Sequence, residues 1–378
     1  FRLDQRYFDY ATGLRMTNDR FADLFGRPAR KPESDLLEQF HMDVAASLQA
    51  VTEEVVLTIT RALAVEHDIP NLCLAGGVAL NCVANGKILR DGAFPGLWIQ
   101  PAAGDAGGAI GAALAVYHRE LGAPRIVTGT DAMSGAFLGP AFDDDEIAAD
   151  LRSCGAVFET VDEDEMLSFT ADALTAGQAV GWFQGRMEFG PRALGARSIL
   201  GDPRSPAMQR TLNLKVKHRE SFRPFAPAVI IETASEWFEL DRPSPYMLVV
   251  ADIASHHRVR VLPEDDEKFG IDKLNVARSD IPAVTHVDYS ARIQTVHRDT
   301  NPRFYDLISA FHARTGCPVL VNTSFNVRGE PIVCTPEDAF RCFMGTELDV
   351  LAVGNCVLRK EDQNPALRQD YKNAFELD

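Results

Sequence analysis

The chain has 378 residues, of which 46% are hydrophobic and 24% are charged, a composition typical of a globular protein long enough for two domains. It carries 54 Asp and Glu against 38 Lys and Arg, and the net charge of −16 argues against a general binder of nucleic-acid backbones. Seven cysteines without a Cys-x-x-Cys pair favour reduced thiols in the cytoplasm over a disulfide framework, and no apolar run is long enough to span a membrane.

The first third of the sequence predicts a long helix and two strand–turn–helix units. Apolar residues recur at three- and four-residue spacing over residues 32–66, which is typical of an amphipathic helix. NLCLAGGVALNCVANGKIL then reads as strand, Gly-Gly turn and helix, and GLWIQPAAGDAGGAIGAALAVYHREL repeats that order. A connection rich in Gly, Pro and Thr over residues 122–140 predicts a domain boundary, which we place between residues 128 and 129.

The remaining chain predicts a second α/β domain. The apolar segments AVGWFQG, FAPAVII, YMLVVADI, PVLVNTSF and LDVLAVGNCVL are typical of strands. Helices are expected over residues 304–315 and 336–343. We therefore expect an α/β fold throughout.

Two glycine-rich turns of the first domain each allow two interpretations. Gly76 and Gly77 lie between a strand and a helix, where they serve either as a tight turn or as a cradle of backbone N–H groups for a phosphate. Asp105 is the only charged residue of a long apolar stretch. It is either the N-cap of the next helix or a carboxylate held near the same phosphates, directly or through a metal.

A basic cluster stands out in this acidic chain. GWFQGRMEFGPRALGARSILGDPR combines four arginines with Gly and Pro, a pattern that presents positive charge beside exposed backbone rather than on a salt-bridged helix. Over residues 185–223 there are nine Lys and Arg against three acids. For any single arginine the simpler interpretation is a surface ion pair, whereas the whole cluster favours an anionic ligand.

Two further stretches of the second domain add polar candidates. YSARIQTV places Arg292 on an expected strand, and VNTSFNVRGEP places Asn322, Ser324 and Asn326 just after a buried strand. Polar residues at a strand end can form an ordinary turn, and they also suit hydrogen bonds to a carbonyl or a phosphate.

Long motifs now carry a resemblance to a known family. GWFQGRMEFGPRALGARSIL, LNLKVKHRESFRPFAP, THVDYSARIQTV and NTSFNVRGEPIV are similar, in this order, to the C-terminal domain of the NodU-like O-carbamoyltransferases, which tailor nodulation factors and antibiotics. LCLAGGVALNCVANGKIL and IQPAAGDAGGAIGAAL resemble the end of that family's N-terminal domain. The resemblance implies the C-terminal part of an actin-like (ASKHA) domain over residues 1–128, followed by a YrdC-like α/β domain over residues 129–378.

The same resemblance implies an activity and roles for residues. The YrdC-like domain would make carbamoyl-adenylate from carbamoyl phosphate and ATP, and the actin-like domain would pass the carbamoyl group to a hydroxyl of a small molecule. Whether the chain forms a homodimer stays open. The implied roles are phosphate binding by Arg192, Lys217, Arg223 and Arg292, carbamoyl orientation by Asn322 and Ser324, adenylate contacts by Gly76, Gly77 and Asn81, and metal ligation by Asp105.

The sequence departs from the family pattern at its metal site. The family has a paired-histidine motif, His-x-x-x-His, in the first half of its N-terminal domain, and nothing here corresponds to it. We therefore expect that the chain starts inside the family's first domain. The histidines of the complete enzyme would supply the other ligands of a divalent metal, for which iron is the expected ion.

Two other classes of function stay open at this point. An actin-fold kinase or ATPase acting on a small hydroxyl compound would use the glycine turns but not the basic cluster. A non-catalytic remnant of the family would have neither the kinase nor the carbamoyltransferase activity. Threonylcarbamoyl transfer to tRNA is disfavoured by the acidic balance of the chain.

Overall fold

The computed structural model describes residues 1–31, 35–127, 129, 131–219, 223–268, 270–371 and 375. By contacts the chain divides into two compact units, one of residues 1–69 with 91–93 and one of residues 70–90 with 94–378. Across the described residues no helix is both long and apolar enough to cross a bilayer.

The first unit contains two helices, α1 (Asp19–Phe25) and α2 (Gln39–His67). Helix α2 is the expected amphipathic helix, although it begins later than residue 32, which lies outside the described residues. The backbone N–H of Glu38 donates to His41 Nδ1 at 3.0 Å and fixes this start. Part of the apolar stripe is not covered by described residues, since Leu48 is 67% exposed.

The second unit contains a small parallel sheet and a large mixed one. Strands β1 (Asn71–Leu74) and β2 (Gly96–Ile99) pair in parallel. Helix α3 (Cys82–Asp91) follows β1 after a short 3₁₀ turn, and its last residue is assigned to the first unit. Helix α4 (Asp105–Ala115) follows β2. The two expected strand–turn–helix units are confirmed by these elements.

The large sheet has nine strands in the order β3-β11-β10-β4-β5-β9-β6-β8-β7. The parallel pairs are β10 with β4 and β6 with β8, and the other pairs are antiparallel. The strands are β3 Glu159–Thr160, β4 Val180–Phe183, β5 Arg197–Gly201, β6 Ala226–Ile230, β7 Val249–Asp252, β8 Ser290–Val296, β9 Val319–Ser324, β10 Val350–Val353 and β11 Cys356–Arg359.

Helices cover this sheet, and both faces of its central strands are buried. In β4, β5 and β6 every residue is buried, which explains why VGWF of β4 and APAVI of β6 are continuous apolar runs rather than alternating ones. Helix α6 packs against α10, and α5 packs against α11. The helices are α5 Asp144–Ser153, α6 Glu163–Thr175, α7 Met208–Thr211, α8 Ala234–Trp237, α9 Pro263–Asp266, α10 Pro302–Thr315 and α11 Pro336–Gly345.

One expectation about the basic cluster is wrong. Arg197 does not present its charge to a ligand, because it lies on β5, a strand that the sequence reading missed, and is 0% exposed. Its guanidinium stacks on the Phe183 ring at 3.5 Å and donates to the Gln184 carbonyl at 3.1 Å and to the Pro140 carbonyl at 3.3 Å. These main-chain oxygens replace water around the cation, so Arg197 is part of the core.

Other parts of the cluster are paired within the protein. Arg204 donates to both carboxylate oxygens of Asp202, at 2.6 Å for Nη2. Lys215 lies 3.2 Å from Glu347. These are the simple ion pairs that the sequence allowed for single residues, and they leave a smaller set of cations for a ligand.

The domain boundary expected between residues 128 and 129 falls within the second unit and stays a prediction. Residue 128 lies outside the described residues. What is observed is a mixed α/β architecture with one large core, built around Trp182, Phe304, Phe311 and Phe343.

Candidate functional site

A cavity of about 390 Å³ lies in the second unit, at the carboxyl end of β9. The loop before β5 supplies Arg192, and the loop before β6 supplies Arg219 and Arg223. Strand β8 contributes Arg292. The complete lining is Cys82, Val83, Pro191, Arg192, Ala193, Arg219, Arg223, Pro224, Phe225, Met247, His286, Arg292, Asn322, Thr323 and Ser324. Among these described lining residues there are four arginines and no carboxylate.

Two of the arginines have few partners among the described residues that compensate their positive charge. Arg192 Nη2 donates to the Leu80 carbonyl at 3.3 Å, while its buried Nε has no hydrogen-bond partner among the described residues. Arg292 has neither a hydrogen bond nor a carboxylate partner within the described part of the chain. Burial lowers the pKa of Arg192. Burial, and then the charge of Arg192, lowers the pKa of Arg292 to about 10. Both cations would therefore gain from a bound anion.

Asn322 adds an unpartnered acceptor to the same cavity. Its side chain is 0% exposed, and its Nδ2 donates to Gln294 Oε1 at 2.7 Å and to the Ala193 carbonyl at 3.3 Å. The buried Oδ1 has no hydrogen-bond partner among the described residues. A buried amide oxygen without a donor is costly, so the site fits a ligand that carries an N–H or O–H group.

Lys217 lies behind the cavity and is not among its lining residues. It is 3% exposed, and its Nζ donates to Asn326 Oδ1 at 2.7 Å, to the Asn326 carbonyl at 2.9 Å and to Ser324 Oγ at 3.1 Å. The Ser324 carbonyl is a fourth acceptor. Burial, followed by the charge of Arg219, lowers the pKa of Lys217 to about 7. Lys217 therefore holds the strand end that carries Ser324.

The structure brings together five of the six residues expected to act on carbamoyl phosphate and ATP. Arg192, Arg223, Arg292, Asn322 and Ser324 all line the cavity, and Lys217 contacts Ser324 from behind.

Several lining residues are not among those predicted from the sequence. Arg219 belongs to the basic cluster, and its Nε donates to Asn213 Oδ1 at 2.7 Å. His286 shares a hydrogen bond of 2.9 Å with Ser290 Oγ, and burial lowers its pKa, with a smaller contribution from the charge of Arg292. Cys82 begins α3, and no sequence signal pointed to it.

The sequence of the chain matches two known protein-family descriptions. Residues 171–360 match the family described as Carbamoyltransferase C-terminus, and residues 1–114 match Carbamoyltransferase N-terminus. The chain belongs to the carbamoyltransferase family. This confirms the resemblance drawn from the motifs.

Relatives of this chain are longer than it is. An uncharacterized protein of Synechocystis sp. is 59% identical over an alignment of 382 positions, which covers 100% of this chain and 62% of the relative. Nodulation protein NolO of Bradyrhizobium diazoefficiens is 43% identical over 88% of this chain and 57% of its own length. The 3'-hydroxymethylcephem-O-carbamoyltransferase of Streptomyces clavuligerus is 34% identical over 76% of this chain and 49% of its own length. The chain thus spans between 49% and 62% of these relatives.

The glycine turn that follows β1 lies outside the cavity lining. Gly76 has a φ of 93°, which favours glycine, and an added Cβ at Gly76 or Gly77 would meet no atom within 4 Å. Asn81 Oδ1 accepts from the backbone N–H of Ala84 at 3.1 Å, so Asn81 caps the start of α3. The backbone at this turn is open, as an adenylate contact would require, and that role stays a prediction.

Asp105 does not form a metal site with the described residues. It is exposed at the first position of α4, and the N-cap is Gly104 rather than Asp105, so the simpler interpretation as an N-cap is wrong, whereas metal ligation by Asp105 stays a prediction. In the described part of the chain no group of three His, Cys, Asp or Glu side chains is placed to hold a metal ion. A single carboxylate does not fit a resident divalent ion, and we derive no step through one.

Proposed function

We propose that this chain carries the carbamoyl-activating site of an ATP-dependent O-carbamoyltransferase. In this proposal the cavity binds carbamoyl phosphate and the phosphates of ATP, the product is carbamoyl-adenylate, and the complete protein transfers the carbamoyl group to a hydroxyl of a small molecule. The observation that carries it is the lining of four arginines without a described carboxylate, in a protein whose net charge is −16.

Electrostatics support an anionic substrate. Two desolvated guanidiniums, of which Arg192 lowers the proton affinity of Arg292, are stabilised by phosphate oxygens, which accept paired hydrogen bonds from arginine. Arg192 and Arg292 are the two arginines whose charge is least compensated by the described residues, so we assign them to the phosphates, with Arg223 and Arg219 as further cations of the lining. The start of α3 at Cys82 adds the positive end of a helix dipole to the same cavity.

The amide group of the carbamoyl moiety suits the remaining polar groups. The unpartnered Oδ1 of Asn322 would accept from one N–H of the carbamoyl NH₂ group, and Ser324 Oγ, whose own hydrogen goes to Asn326 Oδ1, would accept from the other. Ser324 Oγ is oriented by Lys217, which accounts for a buried lysine beside the site rather than in it.

The proposed chemistry balances in three steps. Water splits carbamoyl phosphate into carbamate and phosphate, and a carbamate oxygen then attacks the α-phosphorus of ATP, so that a C–O–P anhydride forms and pyrophosphate leaves. The acceptor hydroxyl attacks the carbamoyl carbon, loses its proton, and AMP leaves. The arginines bind the transferring and leaving phosphates and stabilise the charge that develops on them.

The other parts of the family pattern belong to this proposal as well. We propose a YrdC-like fold for the activating domain and an actin-like (ASKHA) fold for the preceding part, with Gly76, Gly77 and Asn81 contacting the adenylate. A divalent metal, for which iron is our proposal, would need ligands in addition to Asp105. The acceptor class is a small hydroxyl compound; the relative from Streptomyces clavuligerus is named for a hydroxymethylcephem.

Pyrophosphate release from ATP in the presence of carbamoyl phosphate tests the proposal. Wild-type protein should release pyrophosphate only when carbamoyl phosphate is present. Arg192→Ala should reduce turnover by about a hundredfold, the usual effect of losing a charge-stabilising group. The matched control is Arg186→Ala, because Arg186 is exposed, donates to the Gly139 carbonyl at 3.1 Å and does not line the cavity. Equal turnover of both variants would refute the assignment.

A further inference from the structure

Tyr371 connects the C-terminal segment to the back of the cavity. Its side chain is 3% exposed, and its hydroxyl donates to Glu330 Oε1 at 2.5 Å. Arg341 Nε donates to the same hydroxyl at 3.3 Å. The ring lies so close to Gly345 that an added Cβ there would come within 2.3 Å of Tyr371 Cγ. The Tyr371 hydroxyl thus makes hydrogen bonds with Glu330 and Arg341, and the ring packs against a backbone position where only glycine leaves enough space.

Glu330 extends this contact to the turn that follows β9. Its Oε2 accepts from the backbone N–H of Val327 at 2.9 Å, and its carbonyl accepts from Asn326 Nδ2 at 2.6 Å. Glu330 is 7% exposed, so these hydrogen bonds form away from solvent. They fix the orientation of the Asn326 amide.

Asn326 completes the path to the cavity. Its Oδ1 accepts from Lys217 Nζ at 2.7 Å and from Ser324 Oγ at 2.7 Å. Ser324 lines the cavity, whereas Glu330 and Tyr371 do not. Hydrogen bonds therefore run without interruption from the C-terminal segment to a side chain that faces the substrate space.

On the basis of the function proposed above, we propose that Tyr371 and Glu330 are positioning residues of the carbamoyl phosphate site. They hold Asn326 and Lys217 in place, and these two residues fix the Ser324 hydroxyl so that an oxygen lone pair is left for the substrate. Neither positioning residue touches the substrate. Their effect is on affinity and orientation rather than on the reacting atoms.

Charge adds a second consequence of the same network. The groups that act on Lys217 are Arg219, which lowers its pKa, and Cys342 and Glu330, which raise it against the larger effect of burial. Glu330→Gln removes one of the raising charges, so Lys217 loses its proton at a lower pH. A neutral amine has one hydrogen fewer for the four oxygens of Ser324 and Asn326.

Tyr371→Phe tests the positioning role directly. The variant should raise the KM for carbamoyl phosphate by about fivefold and leave kcat within about twofold, the loss expected for one hydrogen bond that acts on binding. Tyr305→Phe is the matched control, because the Tyr305 hydroxyl also donates to a glutamate, Glu232 Oε2 at 3.1 Å, away from the cavity lining. A wild-type KM in Tyr371→Phe would overturn the proposal.

A second variant separates positioning from general stability. Glu330→Gln should move the alkaline loss of carbamoyl phosphate affinity to lower pH, whereas a purely structural role would lower the melting temperature and leave the pH dependence of KM unchanged.

Calorimetric titration with carbamoyl phosphate in the absence of ATP gives a readout that does not need adenylate formation. If wild-type protein binds carbamoyl phosphate but forms no carbamoyl-adenylate with ATP, the proposed function fails, and a weaker carbamoyl phosphate affinity of Tyr371→Phe still supports positioning. If wild type does not bind carbamoyl phosphate, the positioning role is overturned as well.

Discussion

Replacing Arg292 by methionine should raise the stability of the free protein and abolish anion binding. The guanidinium lies beside Arg192 and has no carboxylate partner in the described residues, and its pKa falls from the usual 12.5 to about 10. At 1.36 kcal/mol for each pKa unit, this difference corresponds to a cost of about 3 kcal/mol for keeping the charge in the folded state. Because the folded-state pKa is the lower one, the cost is fully present at every pH below about 10.

Methionine fills a similar length without a charge, so Arg292→Met should gain up to about 3 kcal/mol in the free energy of unfolding. The assay is urea unfolding with and without pyrophosphate. Pyrophosphate should stabilise the wild-type protein. Without pyrophosphate, Arg292→Met should be more stable than wild type, and adding pyrophosphate should not change the stability of the variant. An Arg292→Met protein that is less stable than wild type, or that still gains stability from pyrophosphate, would refute the reasoning.

Two further predictions concern neighbouring residues. Arg197→Met should destabilise the fold by about 3 kcal/mol in urea unfolding, because it removes a buried cation from its main-chain acceptors and from the field of Glu188; a loss below about 1 kcal/mol would contradict a core role. Cys82 should react with iodoacetate faster, relative to neutral iodoacetamide, than the exposed Cys73 does, because arginines surround it. Mass spectrometry measures both rates, and pyrophosphate should protect Cys82 alone; equal reagent preference at the two thiols would argue against a cationic cavity.

The sequence predicted where the strands and helices lie better than it predicted which of their residues are buried. Continuous apolar runs such as VGWF indicated buried strands, and helix α10 is confirmed within two residues at its start. Strand β5 was missed because SILG follows arginines and glycines, and nothing local shows that it pairs between β4 and β9. Its burial is a property of the sheet, not of the segment.

The same limit applies to the site. Arg192, Arg197 and Arg204 occur in one stretch with similar neighbours, yet they respectively face the cavity, fill the core and pair with Asp202. The motifs of the family separated Arg192 from the others, whereas spacing alone could not. Cys82 reaches the cavity from a different strand–turn–helix unit, more than a hundred residues before Arg192 in the chain, so only the tertiary fold could place it there.

The most direct test of the central claim is the product that this chain makes from ATP and isotope-labelled carbamoyl phosphate when no acceptor is present. Mass spectrometry of the reaction mixture should show carbamoyl-adenylate that carries the label, together with pyrophosphate, and Arg292→Met should show neither. Formation of ADP and phosphate, with no labelled adenylate from folded protein, would contradict the proposal and favour an actin-fold kinase or ATPase.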